Sequence, residues 1–349
     1  MTHIWVRSEA RAHEERVGLT PRGAAKLLAA GYRVMVEESA QRILPIADYA
    51  AAGCEIAQEF SWVDAPDDAI IFGLKELPED GTPLRHRHIM FGHAYKGQPS
   101  GKILLDRFKA GGGALYDLEY LTEEDGRRVA AFGYWAGYAG AAVALMCWLA
   151  QQKGGIAPAV TAYRSANHML MVMQQDLMAL GTNRPTALII GALGRVGTGA
   201  ADLCQAMGVA TTKWDMAETA SGEPFPEVLA HDMFLNCILA RHGTPVFVPA
   251  SAKVAQRTLS VIGDIACDPD SDFSPIKVYD RTTTWDAPAL RVHDQPVLDV
   301  TAIDNLPSML PAESSEDFAE QLLPHLMTLS AIDAGVWGRA QGWFDRSTT

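Results

Sequence analysis

Residues 187–215 have the sequence ALIIGALGRVGTGAADLCQAMGVATTKWD, and this stretch is the strongest indication of the fold. Its apolar start predicts a buried strand, the glycines predict a turn into a helix, and VATTKW predicts a second strand. Glycines in such a turn allow a tight bend, let backbone amides approach a phosphate and let the helix lie close to the sheet. The pattern therefore predicts a βαβ unit that binds a dinucleotide.

The candidate cofactor residues of this unit are Gly191, Gly194, Gly197 and Asp215. The helix N-terminus after the glycines would stabilise the charge of a pyrophosphate. Asp215 ends the second strand, where a carboxylate accepts both ribose hydroxyls and repels a 2′-phosphate, which favours NAD over NADP. The glycine spacing is GxxGxxG rather than GxGxxG, so the glycines alone would also fit a turn that binds no ligand. No GxxxxGK[ST] motif is present, which argues against a P-loop nucleotidase.

Strand and helix patterns alternate on both sides of this unit. HIWVR, RVMVEE, AIIFGL and HIMFGH precede it as predicted strands, and DMFLNCIL and TLSVIGDIA follow it. Such alternation is typical of mainly parallel sheets covered by helices. We therefore predict an α/β protein of two Rossmann-like domains that join near residue 131, with a cleft between them.

The charge of the chain limits its partners. The 349 residues carry a formal net charge of −13. This disfavours a nucleic-acid binder, because a phosphate-facing surface should be basic. Anionic small molecules stay open as substrates, since a local arginine cluster can form in an acidic protein. A monomer and a small homo-oligomer both stay open.

Three features predict a cytoplasmic protein without a membrane anchor. The first residues contain no apolar stretch long enough for a signal peptide. The most apolar segment, residues 130–152, is interrupted by glycines and aromatic residues and has no second span, so we predict a buried helix. The five cysteines are odd in number, widely spaced and without CxxC, which indicates reduced thiols rather than disulfides or a zinc site.

Two predicted strands each end close to a titratable side chain. IIFGLKELP (70–78) places Lys75 after an apolar run, and HIMFGHAYK (88–96) does the same with His93. If both strands lie in one sheet, these side chains project from one edge into one crevice. A lysine whose pKa is lowered by burial, beside a near-neutral histidine, is a workable acid/base pair. For either residue alone, a solvated charge or a satisfied polar group is the alternative.

The other histidines are weaker candidates. His86, His88 and His93 could form a metal cluster. However, RHRH is predicted to lie in a loop, and no carboxylate or cysteine completes a ligand set, so we predict no metal site.

Three arginines and one glutamate are candidates for substrate contacts. Arg16, Arg127 and Arg128 lie close to predicted element ends and could recognise carboxylates with two hydrogen bonds each. Surface ion pairs with neighbouring glutamates are the alternative. Glu119 alternates with apolar residues in YDLEYL, so its side chain could point into a cleft.

Nine segments along the chain carry a resemblance to a known family: RVGLTP, IIFGLKELP, HIMFGHAYK, ALYDLEYL, GRRVAAFGYWAGYAGAA, LIIGALGRVGTGA, KWDMAET, FLNCI and AIDNLPSMLPAESSEDFAEQLLP. Together they resemble the lysine-forming, NAD-dependent saccharopine dehydrogenases, which are similar in fold to alanine dehydrogenase and the NAD domain of transhydrogenase. The resemblance implies that saccharopine, NAD⁺ and water give L-lysine, 2-oxoglutarate and NADH. It also implies that residues 315–349 return to a substrate domain formed by 1–131, and that 132–314 form the NAD domain.

The same resemblance assigns roles by position. Lys75 and His93 become the acid/base groups, and Glu119 is expected to tune the charge near Lys75. The residues implied to line the substrate pocket are Arg16, Lys96, Gln98, Glu119, Arg128 and Phe132. The residues implied to hold the cofactor, beside the glycines, are Arg195, Asp215, Thr219, Cys237, Leu239 and Asp304.

Two positions depart from the family pattern. Val196 stands where eukaryotic members often have cysteine, so a disulfide with Cys237 cannot form. Asn305 replaces the histidine that follows Asp304, which alters a position near the nicotinamide. A related opine-type or amino-acid dehydrogenase with another amine and 2-oxoacid, and a catalytically inactive NAD-binding homologue, are the alternative functions. A metal-dependent hydrolase is a more distant one.

Overall fold

The computed structural model describes residues 1–269 and 271–349, and the chain forms two compact units. The first unit comprises Met1–Ala131 together with Pro311–Thr349, and the second comprises Phe132–Leu310. The first boundary follows residue 131, where we expected the domains to join. The second lies at Pro311 rather than near residue 315, because the helix that returns to the first unit already begins at this proline.

Within the described residues, twelve strands form two six-stranded sheets. The strands are β1 (His3–Val6), β2 (Arg33–Glu37), β3 (Glu55–Ala57), β4 (Ala69–Phe72), β5 (Arg87–Met90), β6 (Ala114–Asp117), β7 (Thr186–Ile190), β8 (Ala210–Trp214), β9 (Met233–Asn236), β10 (Val261–Asp264), β11 (Leu290–Asp294) and β12 (Val297–Thr301).

Helices alternate with these strands. The α-helices are α1 (Pro21–Ala29), α2 (Ile46–Ala51), α3 (Pro99–Gly111), α4 (Gly133–Gln152), α5 (Ala166–Ala179), α6 (Arg195–Ala206), α7 (Met216–Thr219), α8 (Pro226–Ala230), α9 (Pro311–Leu326) and α10 (Gly335–Thr348). Short 3₁₀ turns occupy Ser61–Asp64, Ala250–Lys253, Leu306–Met309 and Leu329–Ala331.

The sheet of the first unit is parallel throughout, with strand order β3-β2-β1-β4-β5-β6. The chain builds outward from β1 on one side and then returns to place β4 on the other side. Such a reversal of strand order is a switch point, and ligands of open α/β sheets bind at the carboxyl edge of the strands there. The switch point of the first unit therefore lies between β1 and β4.

Local chemistry explains where the first unit's helices begin and how the tail joins them. Thr20 caps α1, because its hydroxyl accepts the Gly23 N–H at 3.2 Å and proline fixes the first helical position. The returning tail packs into the same unit, where Trp337 is fully buried. The Val17 N–H donates to the Ser315 hydroxyl at 3.0 Å. The tail is therefore part of the first unit's core.

The sheet of the second unit has strand order β11-β12-β10-β9-β7-β8. All neighbouring strands are parallel except the edge pair β11 and β12, which is antiparallel. The chain leaves β7 for β8 on one side and then places β9 on the other side. The switch point of this unit therefore lies between β7 and β9, beside the glycine-rich turn that follows β7.

Helices α4 and α6 pack against each other through glycines. A Cβ atom added to Gly137 would lie 1.8 Å from the Val196 carbonyl oxygen, and one added to Gly199 would lie 1.9 Å from the Tyr134 carbonyl oxygen. Two backbones can approach this closely only where no side chain intervenes. The apolar segment 130–152 thus forms a buried helix as predicted, and no helix of the described residues is long and apolar enough to cross a membrane.

Some expectations about local structure are wrong. RHRH lies only partly in a loop: His86 precedes β5, whereas His88 belongs to this strand, which is flanked by strands on both sides, and both histidines are buried. Helix α5 begins at Ala166, after the Ser165 cap. The antiparallel β11–β12 pair was not predicted; β11 is partly exposed, whereas β12 is largely buried.

Candidate active site

The turns that carry Lys75 and His93 are neighbours at the carboxyl edge of the first sheet. β4 and β5 pair directly, and each titratable residue lies three positions beyond its strand. Pairing continues past the strands, since the Gly73 N–H donates to the Ile89 carbonyl at 3.0 Å and the Phe91 N–H to the Leu74 carbonyl at 2.9 Å. The prediction that both turns lie at one edge of one sheet is confirmed.

His93 has an unusual backbone conformation and a carboxylate partner. Its φ of +48° lies in the left-handed region, which non-glycine residues occupy mainly where the surroundings hold them. Its Nδ1 lies 3.5 Å from Glu119 Oε2, and Glu119 Oε1 accepts from the Lys96 ammonium at 2.7 Å. The shorter Lys96 contact is a direct hydrogen bond, whereas 3.5 Å is beyond normal hydrogen-bond length.

Glu119 is the charged centre of this group. The His93 imidazole and then the Lys96 ammonium lower the pKa of Glu119 to about 2. The carboxylate is therefore ionised throughout the neutral range. We expected Glu119 to tune the charge near Lys75, but its described contacts are with His93 and Lys96 instead.

A carboxylate other than Glu119, that of Glu14, interacts with Lys75. Glu14 is buried and holds Arg16 with two hydrogen bonds, Nε to Oε1 at 2.7 Å and Nη2 to Oε2 at 2.6 Å. Burial alone would raise the pKa of Glu14, but the Arg16 guanidinium and then the Lys75 ammonium hold it below its usual range. Arg16 is therefore neither a surface ion pair nor an unengaged anion receptor, because a buried glutamate occupies its fork.

Asp117 supports the His93 turn from the neighbouring strand. It ends β6, is fully buried, and accepts the Glu119 N–H at 2.9 Å. Burial raises the pKa of Asp117, while the amides of Glu119 and Gly92 and the His93 imidazole oppose the shift. Asp117 thus holds the backbone of the adjoining segment through the Glu119 N–H.

The remaining predicted substrate residues differ in how they are placed. The Arg128 side chain is exposed, whereas the neighbouring Arg127 lies 3.8 Å from Asp125 in a surface ion pair. Gln98 is exposed at the residue before α3. Phe132 begins the second unit, at the residue before α4. Arg128 and Gln98 thus expose polar groups that a solute can reach.

The glycine turn of the second unit is closely packed at two of its three glycines. Gly191 has φ +85°, and an added Cβ would lie 2.5 Å from Ile238 Cγ2. A Cβ at Gly197 would lie 2.1 Å from the Gly191 carbonyl oxygen, so α6 can start this close to the sheet only with glycine. Gly194 precedes α6, and a Cβ atom added to it would lie 3.4 Å from the Gly191 carbonyl oxygen. The first and third glycines thus serve packing, whereas a Cβ atom at the second would make only an ordinary van der Waals contact.

Asp215 ties the second strand of this βαβ unit to the glycine turn. Its Oδ2 accepts the Leu193 N–H at 3.0 Å and its Oδ1 accepts the Met216 N–H at 2.9 Å. Each carboxylate oxygen keeps a second lone pair for another donor. Thr219 lies one turn away, with its hydroxyl donating to the Asp215 carbonyl at 3.0 Å. The carboxylate is therefore positioned at the strand end where the sequence predicts a ribose contact.

The other predicted cofactor residues line the same carboxyl edge of the second sheet. The Cys237 N–H continues the sheet after β9 by donating to the Ile190 carbonyl at 2.9 Å, and burial raises the pKa of its thiol. Leu239 is exposed, and Arg195 is exposed in the first turn of α6. Asp304 is also exposed, and Asn305 after it adopts φ +74°, a conformation that asparagine tolerates better than most residues.

His86 and His88 are engaged within the core of the first unit. His86 Nε2 lies 3.0 Å from the Ala65 carbonyl, and His88 packs edge-on against Trp62 and Phe108 in the core. Burial lowers the pKa of His88 well below its usual value, which keeps the ring neutral. No group of three or more histidine, cysteine or acidic side chains is arranged for a metal in residues 1–269 and 271–349.

Comparison with known proteins identifies the family. The alanine dehydrogenase/PNT N-terminal domain matches residues 5–139. A saccharopine dehydrogenase (NAD(+), L-lysine-forming) of Yarrowia lipolytica is 44% identical over 356 residues, which cover 98% of this chain and 96% of that protein. This chain belongs to the saccharopine dehydrogenase (NAD(+), L-lysine-forming) family.

Another member of the saccharopine dehydrogenase family, from Schizosaccharomyces pombe, is 42% identical and covers 98% of this chain and 97% of its own. Among solved structures, an L-alanine dehydrogenase superposes with a TM-score of 0.69 at 18% identity, covering 99% of this chain and 94% of that one. The transhydrogenase from Sinorhizobium meliloti gives 0.64 at 16% identity, covering 95% of both chains. These two likenesses show the fold, and the resemblance inferred from the nine sequence segments is confirmed.

Sequence reasoning missed several buried polar residues of this saccharopine dehydrogenase family member. Arg7 and Glu9 follow β1 and contact the Lys75 turn. Asp264 ends β10, is buried, and accepts from the Tyr279 hydroxyl at 2.5 Å and from Asn236 Nδ2 at 2.9 Å. The available signal was a charged or polar residue at the end of each apolar strand, the same signal that singled out Lys75 and His93.

Proposed function

We propose that this chain catalyses the NAD-dependent conversion of saccharopine and water to L-lysine and 2-oxoglutarate, and the reverse reaction. The observation that carries the proposal is the 44% identity to a saccharopine dehydrogenase (NAD(+), L-lysine-forming) across both units. The forward reaction also yields NADH and a proton. The substrates are small molecules, and we propose that the protein works in the cytoplasm as a monomer or small homo-oligomer.

The second unit would hold NAD, and its residues fit such a ligand. Gly191 and Gly197 close the turn tightly, while Gly194 leaves space at the start of α6 for a pyrophosphate. Asp215 offers lone pairs to ribose hydroxyls and would repel a 2′-phosphate. When bound, NAD supplies the acceptor for the hydride that leaves the substrate. Arg195, Thr219, Cys237, Leu239 and Asp304 complete the proposed contacts.

In the first unit, Lys75 and His93 would share the proton transfers. The secondary amine must lose a proton before the carbon on its glutarate side can release hydride. The resulting imine takes up water, which loses a proton as it attacks, and the departing lysine amine gains one. Glu119 Oε2 lies 3.5 Å from His93 Nδ1, and Glu14 is a buried carboxylate that interacts with the Lys75 charge.

The substrate's carboxylates would meet cations at this edge. Arg128 is exposed, so it can bind a carboxylate with two parallel hydrogen bonds. Lys96 would serve a second carboxylate while it stays on Glu119. Arg16 would act through its ion pair with Glu14, because that pair already uses its Nε and Nη2. Gln98 and Phe132 would add a hydrogen bond and an apolar wall.

The test is an absorbance assay on the purified full-length chain with lysine, 2-oxoglutarate and NADH. Oxidation of NADH, with saccharopine identified by mass spectrometry, is the expected result. Ornithine in place of lysine, and pyruvate in place of 2-oxoglutarate, are the matched substrate controls. Faster turnover with a control pair would show a related dehydrogenase instead. NADH binding without turnover of any pair would show a catalytically inactive homologue.

A further inference from the structure

The switch point of the first unit is filled by an arginine and a glutamate. Arg7 and Glu9 follow β1 at its carboxyl end and are both buried, with 2% and 7% of their surface exposed. They form an ion pair with Arg7 Nη1 3.1 Å from Glu9 Oε2. In open α/β sheets this crevice usually receives a ligand. Here two side chains of the protein lie between β1 and β4.

The side chains of Arg7 and Glu9 form hydrogen bonds with consecutive backbone groups in the turn after β4. Glu9 Oε1 accepts the Leu74 N–H at 2.6 Å, and Glu9 Oε2 accepts the Lys75 N–H at 3.0 Å. On the other side of the same residue, Arg7 Nη2 donates to the Lys75 carbonyl oxygen. The backbone of Lys75 is therefore held at both its N–H and its C=O by two partners that also hold each other.

Gly73 completes this arrangement. A Cβ atom added to Gly73 would lie 2.4 Å from Arg7 Cζ, so the guanidinium lies where any other residue would place its side chain. A buried arginine and glutamate are costly to place in a protein unless their hydrogen bonds are largely satisfied. Most of the side-chain hydrogen bonds of Arg7 and Glu9 go to the Lys75 turn, which indicates that the two side chains hold this turn in place.

We propose that Arg7 and Glu9 are positioning residues that fix the Lys75 backbone, so that its ammonium is held at one place at the sheet edge. The inference rests on the proposed acid/base role of Lys75. A flexible four-carbon side chain reaches a defined point only if its backbone is fixed. An error of about 1 Å in such a group can cost about 10²-fold in rate.

The first experiment compares Glu9→Gln with Glu9→Asp in the purified full-length chain. Glutamine keeps the size but has one acceptor oxygen, so its NH₂ group faces a backbone N–H of the turn. We expect at least a tenfold lower kcat, a shifted basic limb of the kcat–pH profile, and an NADH Kd within twofold of wild type. Aspartate keeps the charge and should recover part of the rate. An unchanged kcat and profile in Glu9→Gln would overturn the inference.

A stability control separates positioning from general loosening. Val34→Ala removes buried apolar atoms in β2, away from the Lys75 turn, and should lower Tm without moving the pH profile. If Val34→Ala and Glu9→Gln lower Tm and change kinetics equally, the role is merely structural and the inference fails. If Glu9→Gln does not fold, Arg7→Lys serves as the second variant, since one ammonium cannot grip both Glu9 and the Lys75 carbonyl.

A readout without turnover distinguishes this inference from the proposed function. Acylation of Lys75 by an amine-reactive anhydride, followed across pH by mass spectrometry, reports how its environment holds the amine. We expect the midpoint pH and the rate of Lys75 acylation to change in Glu9→Gln but not in Val34→Ala. If wild type shows no NADH oxidation but this difference persists, the function fails and the positioning stands. If turnover is present and the acylation profiles of both variants match wild type, the positioning fails.

Discussion

The two sheets present opposite solutions at their switch points. In the second unit, β7 runs into α6 through a turn of glycines, and Gly194 leaves space where a side chain would be. In the first unit, buried Arg7 and Glu9 lie between β1 and β4 and grip the backbone of Lys75. A reversal of strand order is thus common to both sheets, although the two orders differ, and its surroundings differ between them.

The difference lies in the segment after the first strand of each unit. A tight turn that leads at once into a helix exposes backbone amides and a helix N-terminus to a ligand. After β1 there is instead a long segment before α1, and its first side chains fold back into the crevice. We propose that one switch point receives a dinucleotide and that the other holds the backbone of a titratable residue. Variants in each unit can test this division.

The largest effect is expected from removing the titratable groups of the first unit. Lys75→Met and His93→Gln should each lower kcat about 10²–10⁴-fold, the range typical of general acid–base catalysis. The NADH Kd should stay within twofold, because the proposed cofactor residues lie in the other unit. Stopped-flow fluorescence for binding and steady-state kinetics for turnover are the measurements. Loss of NADH binding in either variant would contradict the division of labour.

The glycine turn gives the next largest effect, and it can be split in two. Gly197→Ala should lower both Tm and NADH affinity, because its Cβ would meet the Gly191 carbonyl oxygen at 2.1 Å. Gly194→Ala should leave Tm within about 2 °C but weaken NADH binding about tenfold, since its Cβ would enter the space for the pyrophosphate. Thermal unfolding with and without NADH measures both. An unaffected NADH affinity in Gly194→Ala would place the cofactor elsewhere.

A smaller effect is expected in cofactor discrimination. Asp215→Asn removes the negative charge that repels a 2′-phosphate, while the amide oxygen can still accept the Leu193 N–H. We expect the ratio of NADPH to NADH affinity to rise about tenfold, the size of one charge-assisted contact of about 1.5 kcal/mol. Titrations of both nucleotides give the ratio. An unchanged ratio would show that another residue sets the preference.

The smallest effect concerns the pH dependence of stability in the first unit. The pKa of Glu119 is about 2 in the folded chain, against a usual 4.5. Its ionised form therefore stabilises the fold above about pH 4.5, and this contribution is lost as the pH falls towards 2. The shift corresponds to about 3 kcal/mol, and because His93 and Lys96 are half exposed we expect about 1–2 kcal/mol.

Urea unfolding of wild type and Glu119→Gln at a series of pH values checks this last prediction. The free energy of unfolding should differ most near neutral pH, and the two curves should meet near pH 2. Glu123→Gln is the matched control, since Glu123 also faces a histidine, His325, at 3.5 Å but lies outside the proposed site. Equal pH profiles for both variants would contradict a special role for Glu119.

The sequence predicts the parts of this fold that depend on nearby residues. The glycine turn, the strand ends at Lys75 and His93, and the proline start of α1 follow from local chemistry, and all are present. The hydrogen bonds of Glu9 to the Lys75 turn span 66 residues, so no local pattern reveals them. The boundary at Pro311 shows the same limit, because only packing decides which unit takes the returning helix.

The path of the chain through the two units has a consequence for its synthesis. Ser315 and Trp337 belong to the core of the first unit, yet the whole second unit separates them from Ala131. At about 5–20 residues per second, a ribosome needs roughly ten seconds or more to make that insertion. During this delay the nascent first sheet lacks its final helices, and part of its apolar surface is exposed. The second unit can therefore fold before the first, which is complete only when residues 311–349 have been synthesised.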